Sequence, residues 1–497
     1  MTKNRIQRIL NIFTLLLLFH FSLFGQNNGV HAHKSEALKF RLPPNVPSAI
    51  FEMGNFVYSV HYKGKAIHLR KLAKTDLSLV EEWKLKDPAL SKFTIYKFLS
   101  TTKTESGLSI MAHVYNSKRK QEHVFNVQIT ATGEIQNAKK VFSTTEHTGS
   151  VKSIVEYKSP NSRISVFYIE KYNQDGTRKL PEFVAVSDHL NVMWRGVPTV
   201  KGNSRMAFLP INMTVDNKGN FYILGYETTS AKINYKSHLN SNYFIAKYFQ
   251  GENTEKYNVD KPELILHGGG IGLNPSGNVI FSSFYSLAES ESLDGTLTII
   301  LDKGLQQLNQ QQTAFSEDTV QKLMAIPNMT MSSDFKPAEQ FHNNGKTTLV
   351  MECYSSGLLY SYGIALFFVE IDSQNGRLIK MQYVPSNIRM GDQFKMYYLE
   401  REGNDIDVIQ FDMNYKLLVE EGIAVKKNMF SSSLVHIKLN AYEKPTYTLL
   451  INKDTFGKFL NSFTSRTVKD SERSYYGLAQ YGVNKLVVYK HNLPDPK

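Results

Sequence analysis

Two groups of carboxylates in this sequence have spacings that acid–base chemistry could use. Asp405 and Asp407 flank Ile406 and so share one face of a strand, and Glu289, Glu291 and Asp294 cluster in one loop. Glycoside hydrolysis needs two carboxyls roughly 5–10 Å apart across a groove, one to protonate the leaving oxygen and one to attack or activate water. The sequence fixes a shared face but no such distance. Acids solvated on strands and loops are the commoner case, so no catalytic residue is assigned and the chain is expected to be non-enzymatic.

Other fragments carry less. His267-Gly268-Gly269-Gly270 matches the oxyanion-hole signature of some esterases, but no G-x-S-x-G occurs to supply the nucleophile. A glycine run that lets an inner strand pack closely is the better account. Gly345-Lys346-Thr347 imitates the end of a phosphate loop, yet Gln340 stands where its first glycine belongs, and a strand rather than a helix follows. His31-Ala32-His33 offers two metal ligands in a tail, which make no site, and H-E-x-x-H and C-x-x-C are absent. In Asp216-Asn217-Lys218 a cation sits where a calcium loop needs a ligand. No metal and no cofactor is expected. Cys353, the single cysteine, lies in an apolar run and reads as a packed thiol. Lys118-Arg119-Lys120 reads as a solvated hairpin tip.

The elements that must position any site are strands joined by tight turns. Ile211 to Val215 runs into Asp216-Asn217-Lys218-Gly219-Asn220, and Phe221 to Tyr226 leaves it as an aromatic–aliphatic strand. Asn and Gly tolerate the positive φ such a turn demands. Versions of this unit recur, with second strands beginning near residues 56, 108, 164, 221, 279, 347, 394 and 475. The seventh copy reads as Phe394 to Arg401, Asp405 to Phe411 and Tyr415 to Val425. Repeats of that period made of short strands predict an all-β propeller of four-stranded blades, eight by this count and seven as the alternative, because 425–474 is irregular. Glu36 to Leu42 alternates as a strand and is expected to pair with Lys485 to His491, closing the ring and removing an exposed edge.

The chain has 497 residues, 12% of them aromatic and 21% charged, which describes a folded protein rather than a disordered one. Lys3, Arg5 and Arg8 precede an apolar stretch from Ile9 to Phe24, and Gly25 offers a small residue for cleavage: an export signal over 1–25. That core is too short to span a bilayer, and no later segment is longer, so no transmembrane segment remains after cleavage. Residues 26–35 are expected to form a flexible N-terminus, and 36–497 one propeller domain. The formal charge of +13 falls to +10 once the three basic groups of the signal are removed. Such a surplus steers anionic neighbours: a membrane surface, an acidic glycan or an acidic protein patch. Nucleic acid is not expected for an exported chain.

Asp216 to Gly225 resembles a secreted β-propeller repeat of the pattern D-x-x-G-N-x-Y-x-x-G, and Pro275-Ser276-Gly277-Asn278-Val279 matches it in part. The whole mature chain also resembles uncharacterised exported propeller proteins of Bacteroidota-type bacteria, in keeping with the Phe24-Gly25-Gln26 signal ending. The resemblance implies fold and turn geometry. It implies no activity.

The function expected is binding or scaffolding in the bacterial cell envelope, with the periplasm favoured over secretion. One propeller face would dock a protein partner such as an outer-membrane transport or secretion assembly. Glycan binding or cleavage is the alternative, and Trp83 and Trp194 are the only tryptophans that could line sugar subsites. Loops after the second strands carry the candidates: Asn173 to Pro181 with Arg178 and Lys179, Thr228 to Asn242 with Lys232 and Lys236, and Ser286 to Asp294 with Glu289, Glu291 and Asp294. Beside them stand Ser355 to Tyr362 and the strand-end tyrosines Tyr226, Tyr285 and Tyr354.

Overall fold

In the computed structural model, described residues are 33–35, 38–39, 47–144, 150–172, 181–197, 207–228, 243–250, 252–259, 261–290, 292–326, 329, 333–356, 361–390, 397–411, 434–440, 445–451, 459–469, 474–481 and 485–492. Their strands form eight antiparallel sheets, each built almost wholly from consecutive segments. The first holds Ser48–Met53, Phe56–Lys63, Ala66–Ala73 and Leu79–Leu85 in that order. The second holds Thr94–Lys103, Gly107–Asn116, Gln121–Thr130 and Ile135–Ser143, and the third Ser150–Lys158, Ile164–Tyr172, Glu182–Ser187 and Val192–Gly196. Ala207–Val215 opens the fourth, Leu264–Leu266 and Gly270–Leu273 the fifth, and Asp334–Asn343 the sixth. Tyr397–Glu402 opens the seventh and Phe459–Lys469 the eighth. Among the described residues there is one helix, Glu317–Met324, which leads from the fifth sheet to the sixth. Ser316 caps it by accepting from the Thr319 amide at 3.3 Å.

The sheets stack face against face in chain order. One apolar cluster joins the first sheet to the second through Tyr58, Val60, Ile110 and Val127. Others join the second to the third (Met111, Val124, Phe167, Val184), the third to the fourth (Phe183, Phe221) and the fourth to the fifth (Leu224, Phe281). The fifth meets the sixth through Phe284 and Phe367, and the sixth meets the seventh through Val350 and Val408. Ile50 and Val57 of the first sheet then pack with Tyr476, Leu478 and Val488 of the eighth. The last sheet therefore meets the first, and the fold is an all-β propeller. Middle strands are covered on both faces and read as continuous apolar runs: every residue of Gly295–Leu301 is buried. Outer strands such as Leu79–Leu85 keep mostly exposed residues.

Turns between first and second strands gather at one end of the molecule, here the turn face. Lys103 of the second sheet pairs with Glu52 of the first at 2.5 Å, and the Asn161 amide donates to Asn217 Oδ1 at 3.0 Å between the third and fourth. Asn343 Nδ2 donates to the Gly403 carbonyl at 2.8 Å between the sixth and seventh. Among the described residues, the turns between second and third strands, Lys63 to Ala66 and Asn116 to Gln121, lie at the other end, the loop face.

One expectation needs correction. In the seventh sheet the segment after residue 394 supplies the inner strand Tyr397–Glu402, and Asp405–Phe411 is second. Its third strand is Leu434–Leu439, paired Ile406↔Leu439 to Phe411↔Leu434; Tyr415 to Val425 lies outside the described residues. At the end of the 26–35 segment, His33–Lys34 pairs with Tyr489 and Lys490. Leu38–Lys39, within the segment Glu36 to Leu42 expected to pair with Lys485 to His491, pairs with Lys485 and Leu486.

Candidate functional site

At the loop face, the wedge between the second and third sheets gathers polar side chains from both. Register decides which residues share it. In the second sheet Tyr115 stands opposite Glu122 and His113 opposite Val124, and Val124 packs against the third sheet. His113, Tyr115 and Glu122 therefore point the same way, because side chains two apart share a face. A bulge between Ile95↔Val114 and Lys97↔His113 inserts Tyr96 as the extra residue. It swings that ring over the same group, stacked on Tyr115 at 5.6 Å and 13°, and edge-on to His113 at 5.7 Å.

On the facing wall, Ile169 stands opposite Glu182, and Val184 stands opposite both Phe167 and Arg195. Phe167, Ile169 and Val184 pack against the second sheet, so Lys171, Glu182 and Arg195 face it too. Arg195 bridges the two sheets. It donates to the Ser143 carbonyl and lies 5.7 Å from the centre of the Phe142 ring.

The electrostatics follow from burial. His113 Nε2 and Glu122 Oε2 meet at 2.5 Å, and Lys171 Nζ meets Glu182 Oε2 at 2.6 Å, all four side chains being largely covered. Glu182 Oε1 also faces Arg195 Nη1 at 3.5 Å. Above them Tyr96 is 50% exposed, enough to leave much of a flat ring for contact. Burial, and then the charges of Glu122 and Tyr115, hold its phenol above the ordinary range, so it remains a neutral hydrogen-bonding hydroxyl. The hairpin tip beyond Tyr115 is fixed by Asn116 Oδ1, which accepts from the amides of Lys118 at 3.1 Å and Arg119 at 3.2 Å. Lys118, Arg119 and Lys120 are exposed there. On the opposite face of the sheet, His123 is pushed down to about 4, first by burial and then by Lys140 and Arg119. This corner of the molecule is cationic.

The residues expected from the sequence fare unevenly. Arg178, Lys179, Lys232, Lys236 and Glu291 lie outside the described residues. Tyr226 and Tyr285 are buried in one cluster between the fourth and fifth sheets, which makes them packing residues. Tyr354 is half-buried, with Lys336 Nζ 4.9 Å above its ring. Glu289 is exposed. Asp294 accepts from the Leu287 amide at 2.7 Å and from Ser290 and Ser292 at 2.8 and 2.9 Å, so its carboxylate closes its own loop.

The remaining fragments resolve in the same way. Asp407 meets His436 Nε2 at 2.7 Å and Asp405 meets Lys438 at 2.8 Å; these carboxylates bind a neighbouring strand and do not face each other across a groove. His267 is buried with Nε2 at 2.7 Å from Ser286 Oγ. A Cβ on Gly270 would lie 2.9 Å from Pro337 Cβ, so the glycine run allows close approach of the next sheet's inner strand. Cys353 is fully buried. Trp83 packs against Gly133, and Trp194 against the cluster between the third and fourth sheets. Among the described residues no three His, Cys, Asp or Glu side chains are placed to hold a metal ion, and no helix is long and apolar enough to cross a membrane. The sequence reading missed Tyr96, His113, Glu122, Lys171, Glu182 and Arg195. Charged residues inside otherwise apolar middle strands, as in Ile164–Tyr172, were the available signal.

No family model matches the chain, and no curated protein matches it. Solved structures do. The polysaccharide lyase Uly1 is 10% identical, with a TM-score of 0.36 over 90% of this chain and 90% of that one. A protein of unknown function from Dyadobacter fermentans DSM 18053 is 7% identical, with a TM-score of 0.37 over 93% and 99% of the two chains. The β-propeller domain of the Trilobed protease from Pyrococcus furiosus is 9% identical, with a TM-score of 0.34 over 82% and 97%. The fold assignment rests on the chain's own sheet topology: consecutive antiparallel sheets packed in a ring, a β-propeller.

Proposed function

We propose that this chain is a non-enzymatic binding protein of the cell envelope, exported by the signal at 1–25, which holds an anionic macromolecule against its loop face. The observation that carries this reading is the exposed Tyr96 ring stacked on Tyr115 and edge-on to His113 of the buried His113–Glu122 pair, beside the cationic tip Lys118 to Lys120. Buried pairs fix the walls rigidly, and an aromatic ring with cations at the rim suits recognition. Of the carboxylates with catalytic spacing, Asp405, Asp407 and Asp294 are engaged inside their own sheets and loop. The sequence reading places a protein partner first, such as an outer-membrane transport or secretion assembly, in the periplasm. The Tyr96–Tyr115 stack is the specific observation in favour of a glycan. A native pull-down from envelope extract tests the reading. Tyr96→Ala, and a variant shortened within Thr228 to Asn242, should lose the partner while keeping the wild-type circular dichroism. Recovery of the same partners by both at the same salt would place binding elsewhere.

A further inference from the structure

We propose that the mouth between the second and third sheets is a subsite for an acidic saccharide, a uronate or a sulfated sugar; this rests on the loop-face reading above and names its ligand. Three observations converge on that chemistry. Tyr96 is half exposed although it stands in a strand, because the bulge at Ile95/Lys97 lifts it out of the ladder and Tyr115 supports it from behind by stacking. A supported, outward-facing ring offers a flat apolar surface of the size of one pyranose, onto which the C–H face of a sugar can lie. A loose tyrosine would have to be ordered first; this one is ordered already.

The exposed charge of the tip beside it has one sign. Lys118, Arg119 and Lys120 are exposed on a tip whose backbone is held by Asn116 Oδ1. Guanidinium and ammonium groups pair with carboxylate or sulfate through charge-assisted hydrogen bonds. The negative groups at the same mouth are already engaged: Glu122 by His113, and Glu182 by Lys171 and Arg195. They therefore offer little repulsion to an incoming anion, and the field at the rim stays cationic. Neutral sugars would gain only the stack. Acidic ones gain the stack and the rim.

The full mature chain is titrated calorimetrically with polygalacturonate, chondroitin sulfate and dextran at two salt concentrations. At least one acidic polymer should bind ten-fold or more tightly than dextran, and its affinity should fall with salt. Tyr96→Ala should weaken that binding at least ten-fold, and Tyr96→Phe should restore it. The triple variant Lys118→Ala, Arg119→Ala, Lys120→Ala should weaken it and flatten its salt dependence. Binding to both acidic polymers that Tyr96→Ala leaves unchanged overturns the site. If no polymer binds while a pull-down returns a protein that Tyr96→Ala loses, the saccharide assignment falls and the docking reading stands. If Tyr96→Ala alters neither, both fall.

Discussion

Lys171 and Glu182 face each other at 2.6 Å across the two strands that bracket the 173–180 loop, with side chains only 6% and 3% exposed. The pair fixes the root of the segment that carries Arg178 and Lys179. Removing one partner of such a pair strands a buried charge, which costs about 3–5 kcal/mol. Glu182→Gln should therefore lower the urea midpoint strongly. Lys171→Met with Glu182→Leu should recover most of the loss, since no charge is then left unpaired in the pair. Equal losses in the single and double variants would show that packing, not charge, dominates at this position.

Acid should act through two histidines. Burial, aided by Lys140 and Arg119, pushes His123 down to about 4; burial, opposed in part by Asp294, does the same to His267. Because the folded values lie below the ordinary 6.5, the unfolded chain takes up protons first. Their contribution to stability is complete above pH 6.5 and shrinks as the pH falls towards 4. The melting temperature of the double variant His123→Gln, His267→Gln should depend less steeply on pH across that window than that of the wild type. Parallel curves would remove these two groups from the account.

The N-terminal segment should hold the ring shut. Beyond the pairings of His33–Lys34 and Leu38–Lys39, the Ser35 amide donates to the Val488 carbonyl at 2.8 Å, and the Val488 amide donates to Ser35 Oγ at 3.0 Å. Deleting residues 26–42 would expose this edge of the eighth sheet, which itself packs on the first. A sharp fall in melting temperature is expected, and an unchanged curve would count against a closing role.

Trp83 and Gly133 form another joint. Gly133 adopts φ +87°, and a Cβ there would come within 2.4 Å of the Trp83 ring, which belongs to the first sheet while Gly133 turns the second. Gly133→Ala thus combines a disfavoured backbone with a clash, and should cost about 1–3 kcal/mol by denaturant unfolding. Adding Trp83→Leu should relieve the steric part only. If Gly133→Ala proves neutral, the joint is looser than its geometry implies.

The sequence by itself determined the turns and, through them, the repeat. At Asp216 the carboxylate accepts from the Lys218 and Asn220 amides at 2.8 and 2.9 Å, and Gly219 takes φ +84°. All of this happens within five residues, so composition and spacing reveal it. Second strands begin at Phe56, Gly107, Ile164, Phe221, Val279 and Lys346, within a residue of expectation, because each follows such a turn. The seventh sheet was misread where its third strand, Leu434–Leu439, begins 23 residues after Phe411 rather than directly after a short turn.

The candidate site belongs wholly to the tertiary structure. Tyr96 joins His113 through a one-residue bulge, which shifts a side chain to the other face and leaves no reliable mark in sequence. Glu122 lies beside His113 because two strands pair in one register, and Lys171, Glu182 and Arg195 face the second sheet because the third packs on it. Tyr226 and Tyr285 recur at strand ends as Tyr115 does, yet neighbouring sheets cover the first two and leave the third at an open mouth. Periodicity reports which way a side chain points within its own sheet. What it then faces is settled by the apolar contacts that draw one sheet onto the next, between residues far apart in the chain.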